Sequence, residues 1–125
     1  MELSVWQKQR FAQNGFLQLP GVVPPELVDA ARRAINDSLR PQALLEGMPE
    51  VPLADAVQLT GEPGDAVLCH YQLGHGITGN SSPNIRYAIY FRLRHVDHDA
   101  IHWECMTDIW REWEGLRDVL SAQIA

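Results

Sequence analysis

The run RYAIYFRLR, residues 86–94, limits the folding of this chain more than any other stretch. Successive side chains of a strand point to opposite faces. Tyr87, Ile89 and Phe91 therefore share one face, and Ala88, Tyr90 and Arg92 share the other. Both faces carry apolar bulk, so the strand is expected to be covered on both sides, inside a sheet with layers above and below. A chain of 125 residues is about one domain. A domain of that size buries roughly two-thirds of the surface its unfolded chain exposes.

Two other strand-like runs precede this one, at residues 56–60 and 66–71, joined by the turn GEPGD. Glycine and proline there are pre-set for a tight reversal. The loop GHGITGNSSPN separates the second run from residue 86. Near the start of the chain, Ser4 and Gln7 have the spacing of a capping box. Asn14-Gly15 supplies the left-handed residue that ends a helix. GFLQLP then reads as a short strand closed by Pro20. Pro24-Pro25 suits a first helical turn. Leu27, Ala31, Ile35 and Leu39 recur at every fourth residue, which predicts a helix over 26–39. Residues 40–55 carry Pro41, Gly47, Pro49 and Pro52 and read as loop, with one turn of helix at 42–46. Beyond Arg94 the chain turns polar. Ile109, Trp113, Leu116 and Leu120 then form a helical stripe behind an N-cap at Thr107.

Charge and cysteine usage narrow the function classes. The formal charge is −6, and no Lys/Arg cluster offers nucleic acid the basic face that its phosphates require. No apolar run approaches the ~20 residues that span a bilayer. MELSVWQKQR has no apolar core of a signal peptide. Cys69 and Cys105 are not in C-x-x-C spacing, so a reduced cytoplasmic protein is the economical expectation. Cys69, between apolar residues on a strand, reads as a buried, inert thiol. The four tryptophans, Trp6, Trp103, Trp110 and Trp113, read as core or interface anchors.

GEPGDAVLCHYQLGHGITGNSSPNIRYAIYFRL, residues 61–93, resembles the C-terminal part of the phytanoyl-CoA dioxygenase family. FAQNGFLQLPGVVPPELVDAARRAI, residues 11–35, is similar to the opening of the same family: a helix, a G-F-x-x-L-x-G stretch, then a helix. Together the two stretches cover most of the chain. The resemblance implies an Fe(II)- and 2-oxoglutarate-dependent oxygenase on a double-stranded β-helix, or jelly roll. Such enzymes bind iron through a facial 2-His-1-carboxylate set. The distal histidine of that set would be His75. Arg86, eleven residues later, would clamp the far carboxylate of 2-oxoglutarate with its planar fork. The family often places a small hydroxyl residue two positions after the histidine. Here that position is Ile77, with Thr78 beside it and Asn80 and Ser82 in reach from the loop. His70, on the preceding strand, reads as structural or as a support behind a metal ligand.

The rest of the family's ligand set is missing in its usual place. The family draws its other two iron ligands from a His-x-Asp/Glu motif upstream of the distal histidine, and no histidine precedes His70 here. Metal affinity depends on the ligand count, so weak or no oxygenase activity is expected. A His-x-Asp does occur at His95-Val96-Asp97, after the arginine strand, and His75, His95 and Asp97 are one way to rebuild a site. RHVDHD also reads as a solvated polar connector.

Two other functions stay open: a non-catalytic module that binds a carboxylate ligand or a protein, and a zinc-binding structural domain using His95, His98 and His102. The fold expected is α+β: a half jelly roll of about four strands, where a full one has about eight, flanked by N- and C-terminal helices. Its open edges favour a homodimer.

Overall fold

The computed structural model describes residues 2–38, 55–76, 80 and 82–121. The chain is mixed α and β, with two antiparallel strands among the described residues. It divides into two compact units. One is drawn from Met1–Leu17, Leu68–Leu73 and Ile89–Ala125, the other from Gln18–Val67 and Gly74–Ala88.

The first unit begins with helix α1, Val5–Asn14. Its capping box is reciprocal: the Gln7 N–H donates to Ser4 Oγ at 3.2 Å, and the Ser4 N–H donates to Gln7 Oε1 at 2.9 Å. Two of the amides that a helix start leaves without partners are thereby satisfied. Gly15, at φ 74°, ends the helix and donates to the Phe11 carbonyl at 2.8 Å. A left-handed residue costs glycine little and others more.

Strand β1, Phe16–Leu19, follows at once and pairs with β2, Ala66–Cys69. The His70 N–H extends the pairing to the Gly15 carbonyl at 2.8 Å. The unit's core is Phe11, Leu17, Cys105, Leu116 and Val119, together with the buried His70. Phe11 is fully buried, which stabilises the fold by up to about 3 kcal/mol. Its ring meets Trp110 edge-on at 5.5 Å and Trp113 at 4.9 Å. Trp110 and Trp113 are thus core anchors, whereas Trp6 and Trp103 lie exposed.

The C-terminal stripe does not form the continuous helix its spacing predicts. The chain makes a short α3, His98–Ile101, then tight three-residue turns at Glu104–Met106 and Glu114–Leu116, and then α4, Arg117–Ser121. Thr107 caps nothing, because its hydroxyl donates back to the Glu104 carbonyl at 3.0 Å. The Asp108 carboxylate accepts the Trp110 N–H at 3.1 Å, a local turn that competes with helix. Leu116 is buried as the stripe predicts, but Ile109 is exposed.

The second unit holds helix α2, Pro25–Ser38, and the turn that leads into β2. Proline occupies the first helical position, where the missing N–H is not needed. The covered stripe is Val28, Ala31 and Ile35, all half-buried, while Leu27 is exposed. Leu39 and the predicted loop at 40–54 lie outside the described residues.

The turn GEPGD is held by one side chain. Asp65 Oδ1 accepts the Gly21 N–H at 2.8 Å and Oδ2 accepts the Glu62 N–H at 2.9 Å. The Val23 N–H donates to the Gly64 carbonyl at 2.9 Å. Gly64 sits at φ 101°, and a Cβ there would stand 2.9 Å from the Val23 carbonyl oxygen. The position therefore requires glycine on two counts, backbone angle and space.

Three strand expectations change. Residues 56–60 form no strand, 66–71 shortens to Ala66–Cys69, and 86–94 is irregular. No backbone N–H or C=O of residues 85–94 pairs with another backbone group among the described residues. The stretch expected to be covered on both faces is instead open, with Phe91 82% and Leu93 83% exposed. A strand exists only against a neighbour and a covering layer. Residues 86–94 have neither: no backbone partner among the described residues, and no buried side chain of their own. Cys69 also departs from expectation: it is exposed, and Cys105 is the buried thiol.

Candidate functional site

The residues proposed from the sequence fall into the two units. His75, Asn80, Ser82 and Arg86 belong to the second, and His95 and Asp97 to the first. Thr78 lies outside the described residues.

His75 is exposed, in the loop beyond β2 and not on a strand. Asn80 and Ser82 spend their polar atoms on each other and on their own loop. Asn80 Oδ1 accepts the Ser82 N–H at 3.1 Å and the Ser82 hydroxyl at 2.8 Å, while the Asn80 amide donates to the Asn84 carbonyl at 2.7 Å. This is a side-chain-stapled turn. To serve a cosubstrate, the two residues would first have to release one another.

Arg86 is exposed, and its guanidinium makes no hydrogen bond or ion pair among the described residues. Its neighbours in sequence differ. Tyr87 donates its hydroxyl to Asn36 Oδ1 at 2.8 Å, and Arg94 is paired with Asp99.

The late histidines are engaged locally. His95 Nδ1 accepts the Asp97 N–H at 3.2 Å and lies 3.9 Å from the Asp97 carboxylate. His98 donates from Nδ1 to the largely buried Glu112 carboxylate. His102 donates from Nδ1 to the Asp99 carbonyl at 3.0 Å. The His98 and His102 rings are 6.0 Å apart. Among the described residues no three His, Cys, Asp or Glu side chains are grouped to hold one metal ion. The described donors therefore do not fit Fe(II): no group among the described residues supplies the three side chains of a facial set.

The sequence gives His70 a structural or ligand-supporting part, and the geometry makes the structural part central. His70 is 3% exposed. Its Nε2–H donates to the Ile109 carbonyl at 2.8 Å, and Nδ1 accepts the Gln72 N–H at 3.2 Å. Both ring nitrogens are thus satisfied by the neutral form, leaving no lone pair for a metal. The ring stacks on Tyr71 at 4.6 Å and meets Trp110 edge-on at 4.7 Å. The Trp110–Trp113 spacing is the signal that marks this cluster, read together with a histidine at the end of a strand.

Four groups have displaced pKa values, and at Tyr71 partial burial raises the hydroxyl. The two accepted backbone N–H bonds, from Glu62 and Gly21, hold the Asp65 carboxyl below the usual carboxylate range. Burial pushes the Cys105 thiol up, and the nearby Glu112 carboxylate adds to it. The partial cover around the Cys69 sulfur raises that thiol too. Both thiols are held in the protonated, poorly nucleophilic form.

No family model matches the chain, and neither the curated proteins nor the solved structures contain a significant match to it. Among the described residues, no helix is long and apolar enough to cross a membrane.

Proposed function

We propose that this chain is an oxygenase-like protein of the phytanoyl-CoA dioxygenase kind that has kept a carboxylate-docking arginine without a complete iron site. In this reading Arg86 takes the far carboxylate of 2-oxoglutarate, or of a similar small dicarboxylate, through two parallel N–H bonds. Iron-dependent turnover is weak or absent. The observation that carries the reading is the exposed guanidinium of Arg86, which has no partner among the described residues and shares a unit with His75. A second support is the contact between the two stretches that bear the resemblance. β1 and β2 pair, and Asp65 reaches Gly21. The half jelly roll of about four strands belongs to this reading, with residues 56–60 and 86–94 becoming strands once partners are present.

The test is a thermal shift with 2-oxoglutarate, with no metal added, beside an assay for succinate with Fe(II) and ascorbate. A ligand that binds only the native state raises its melting temperature. The expected result is a 2-oxoglutarate-dependent rise that Arg86→Gln abolishes, with succinate at the level of iron alone. Stoichiometric iron binding or turnover lost in His75→Ala overturns the incomplete site. No shift with any dicarboxylate overturns the docking role.

We further infer that the chain works as a homodimer in a reducing, cytoplasmic setting. Both cysteines are free thiols. The open stretch 85–93 combines β-prone side chains with backbone groups that have no backbone partner among the described residues, the combination that recruits another strand.

A further inference from the structure

We propose that the first unit carries a binding site for a small apolar monocarboxylate, separate from Arg86 and independent of the reading given for it. A cavity of about 250 Å³ opens beside α1. Phe11, Leu68, Trp113 and Leu116 form its apolar lining, and Glu2 and Lys8 stand among the lining residues as its charges. At ~30 Å³ for each water-sized group, that volume holds roughly eight non-hydrogen atoms. The Trp113 ring is already fixed by packing on the buried Phe11 beneath it, at 4.9 Å between centroids. The apolar wall is therefore organised before any ligand arrives, which lowers the ordering cost of binding.

Lys8 sets the ligand class. Its side chain is 24% exposed and lines the cavity, so most of it lies against the protein. Its ion pair is with Glu2 at 3.9 Å, and the Glu2 side chain is 91% exposed. That separation exceeds a hydrogen bond. The ammonium has three donors and makes no hydrogen bond among the described residues. A carboxylate on a short apolar tail satisfies both features at once, with its tail against Leu68 and Trp113 and its head on Lys8 Nζ. A dianion such as a phosphate monoester is disfavoured, because Glu2 stands at the same cavity and the lining is apolar. On binding, the ligand carboxylate takes the place of Glu2 beside Lys8.

Gly115 provides a way to close the site without disturbing the fold. It lines the cavity, and a Cβ added there meets no atom within 4 Å. Its backbone is also outside the left-handed region, so a side chain is not strained.

The experiment titrates hexanoate into the full chain and follows the methyl resonances of Leu68 and Leu116. Saturable shifts at both are expected. Lys8→Met keeps the stem and removes the charge, and a partly exposed ion pair is worth a factor of about two to five in affinity. That variant should bind hexanoate weaker by such a factor, and wild type should bind hexanol weaker to a similar degree. Glu2→Gln removes the competitor and should bind hexanoate more tightly. Gly115→Phe should abolish the shifts while the near-ultraviolet circular dichroism of the tryptophans is retained. Arg86→Gln should leave hexanoate binding unchanged, which separates this site from the one proposed above. Shifts that fail to saturate, or that survive Gly115→Phe, overturn the site. Equal affinity in wild type and Lys8→Met overturns the carboxylate assignment, and because Lys8 is on the surface of α1 that arm does not depend on Gly115→Phe folding.

Discussion

His70 Nε2 donates its hydrogen to the carbonyl oxygen of Ile109 across 2.8 Å, tying the end of β2 to a residue 39 positions further along the chain. The same ring accepts the Gln72 N–H and is enclosed by Tyr71, Trp110 and Trp113. Replacing it with alanine removes a buried ring and leaves two backbone groups without their partner. Large-to-small changes in a core cost about 2–5 kcal/mol, and an orphaned backbone group adds about 1–3. His70→Ala is expected to lose at least 2 kcal/mol in urea denaturation, close to the limit that a small domain tolerates. His75→Ala, an exposed loop change, should cost less than His70→Ala. If both histidines cost the same, His70 does not have the structural role assigned to it.

Gly64 and Gly21 both adopt left-handed backbone angles, at φ 101° and 61°, but their surroundings differ. A Cβ on Gly64 would press on the Val23 carbonyl oxygen at 2.9 Å, whereas one on Gly21 meets nothing within 4 Å. Gly21→Ala should therefore cost only the conformational penalty, about 1–2 kcal/mol. Gly64→Ala should cost more, because the displaced carbonyl also accepts no relief from its neighbours: the Val23 N–H is itself bonded to Gly64. Denaturation midpoints of the two variants check the order, and Gly21→Ala proving the worse would contradict the packing of this turn.

The sequence reveals what is held locally. The Ser4–Gln7 box, the Gly15 stop and Pro25 at a helix start are each decided by two or three neighbouring residues, and each stands as predicted. The strand at 86–94 was equally plain as a pattern of side chains, but a ladder is a property of two chains of backbone, and nothing in Tyr87, Ile89 or Phe91 supplies the second. Helical spacing misled at Ile109 and Trp113 because a local bond competes with the helix, whereas Leu120 does lie in α4. Beside Ile109 the Asp108 carboxylate takes the Trp110 N–H, and the aromatic pair turns toward Phe11 instead of continuing a helix. The candidate site follows this division. Arg86 and His75 are read from a motif, whereas the loop bonds that occupy Asn80 and Ser82 are visible only in three dimensions.

Asp65 makes the turn pH-dependent, with a definite sign. Its carboxyl is held below the ordinary range because the charged form accepts the Glu62 and Gly21 N–H groups. A carboxyl depressed in the folded state contributes stability that is complete above its unfolded pKa, about 4, and lost as pH falls through the lower folded value. Wild type should therefore lose stability below about pH 4. Asp65→Asn should begin less stable near neutrality and show a flatter acid limb, since its amide carries no proton to gain. Denaturant midpoints across that window for both proteins make the comparison. Parallel acid limbs would mean that Asp65 does not couple to folding.

Residues 85–93 pose the question of association. Phe91 and Leu93 are more than four-fifths exposed, at 82% and 83%, and no backbone group of the stretch has a backbone partner among the described residues. Unpaired, β-prone edges of this kind are templates for another strand. A second copy of the chain supplies one of matching length, and the two-fold symmetry of a homodimer presents the same stretch from both sides. Arg86 and Arg92 set a constraint, since directly opposed like charges in a strand pair are destabilising. Association is expected to strengthen with salt, as screening weakens that repulsion. Sedimentation of the wild-type chain should show a dimer that Phe91→Lys dissociates. The variant adds a third positive charge to the stretch and removes its most exposed ring, at a position that is itself outside the buried core. Infrared amide bands should move in step, with strand content falling as the dimer dissociates. A chain that sediments as a monomer at every salt concentration, or a Phe91→Lys variant that stays dimeric, would show that this stretch is not where two copies meet.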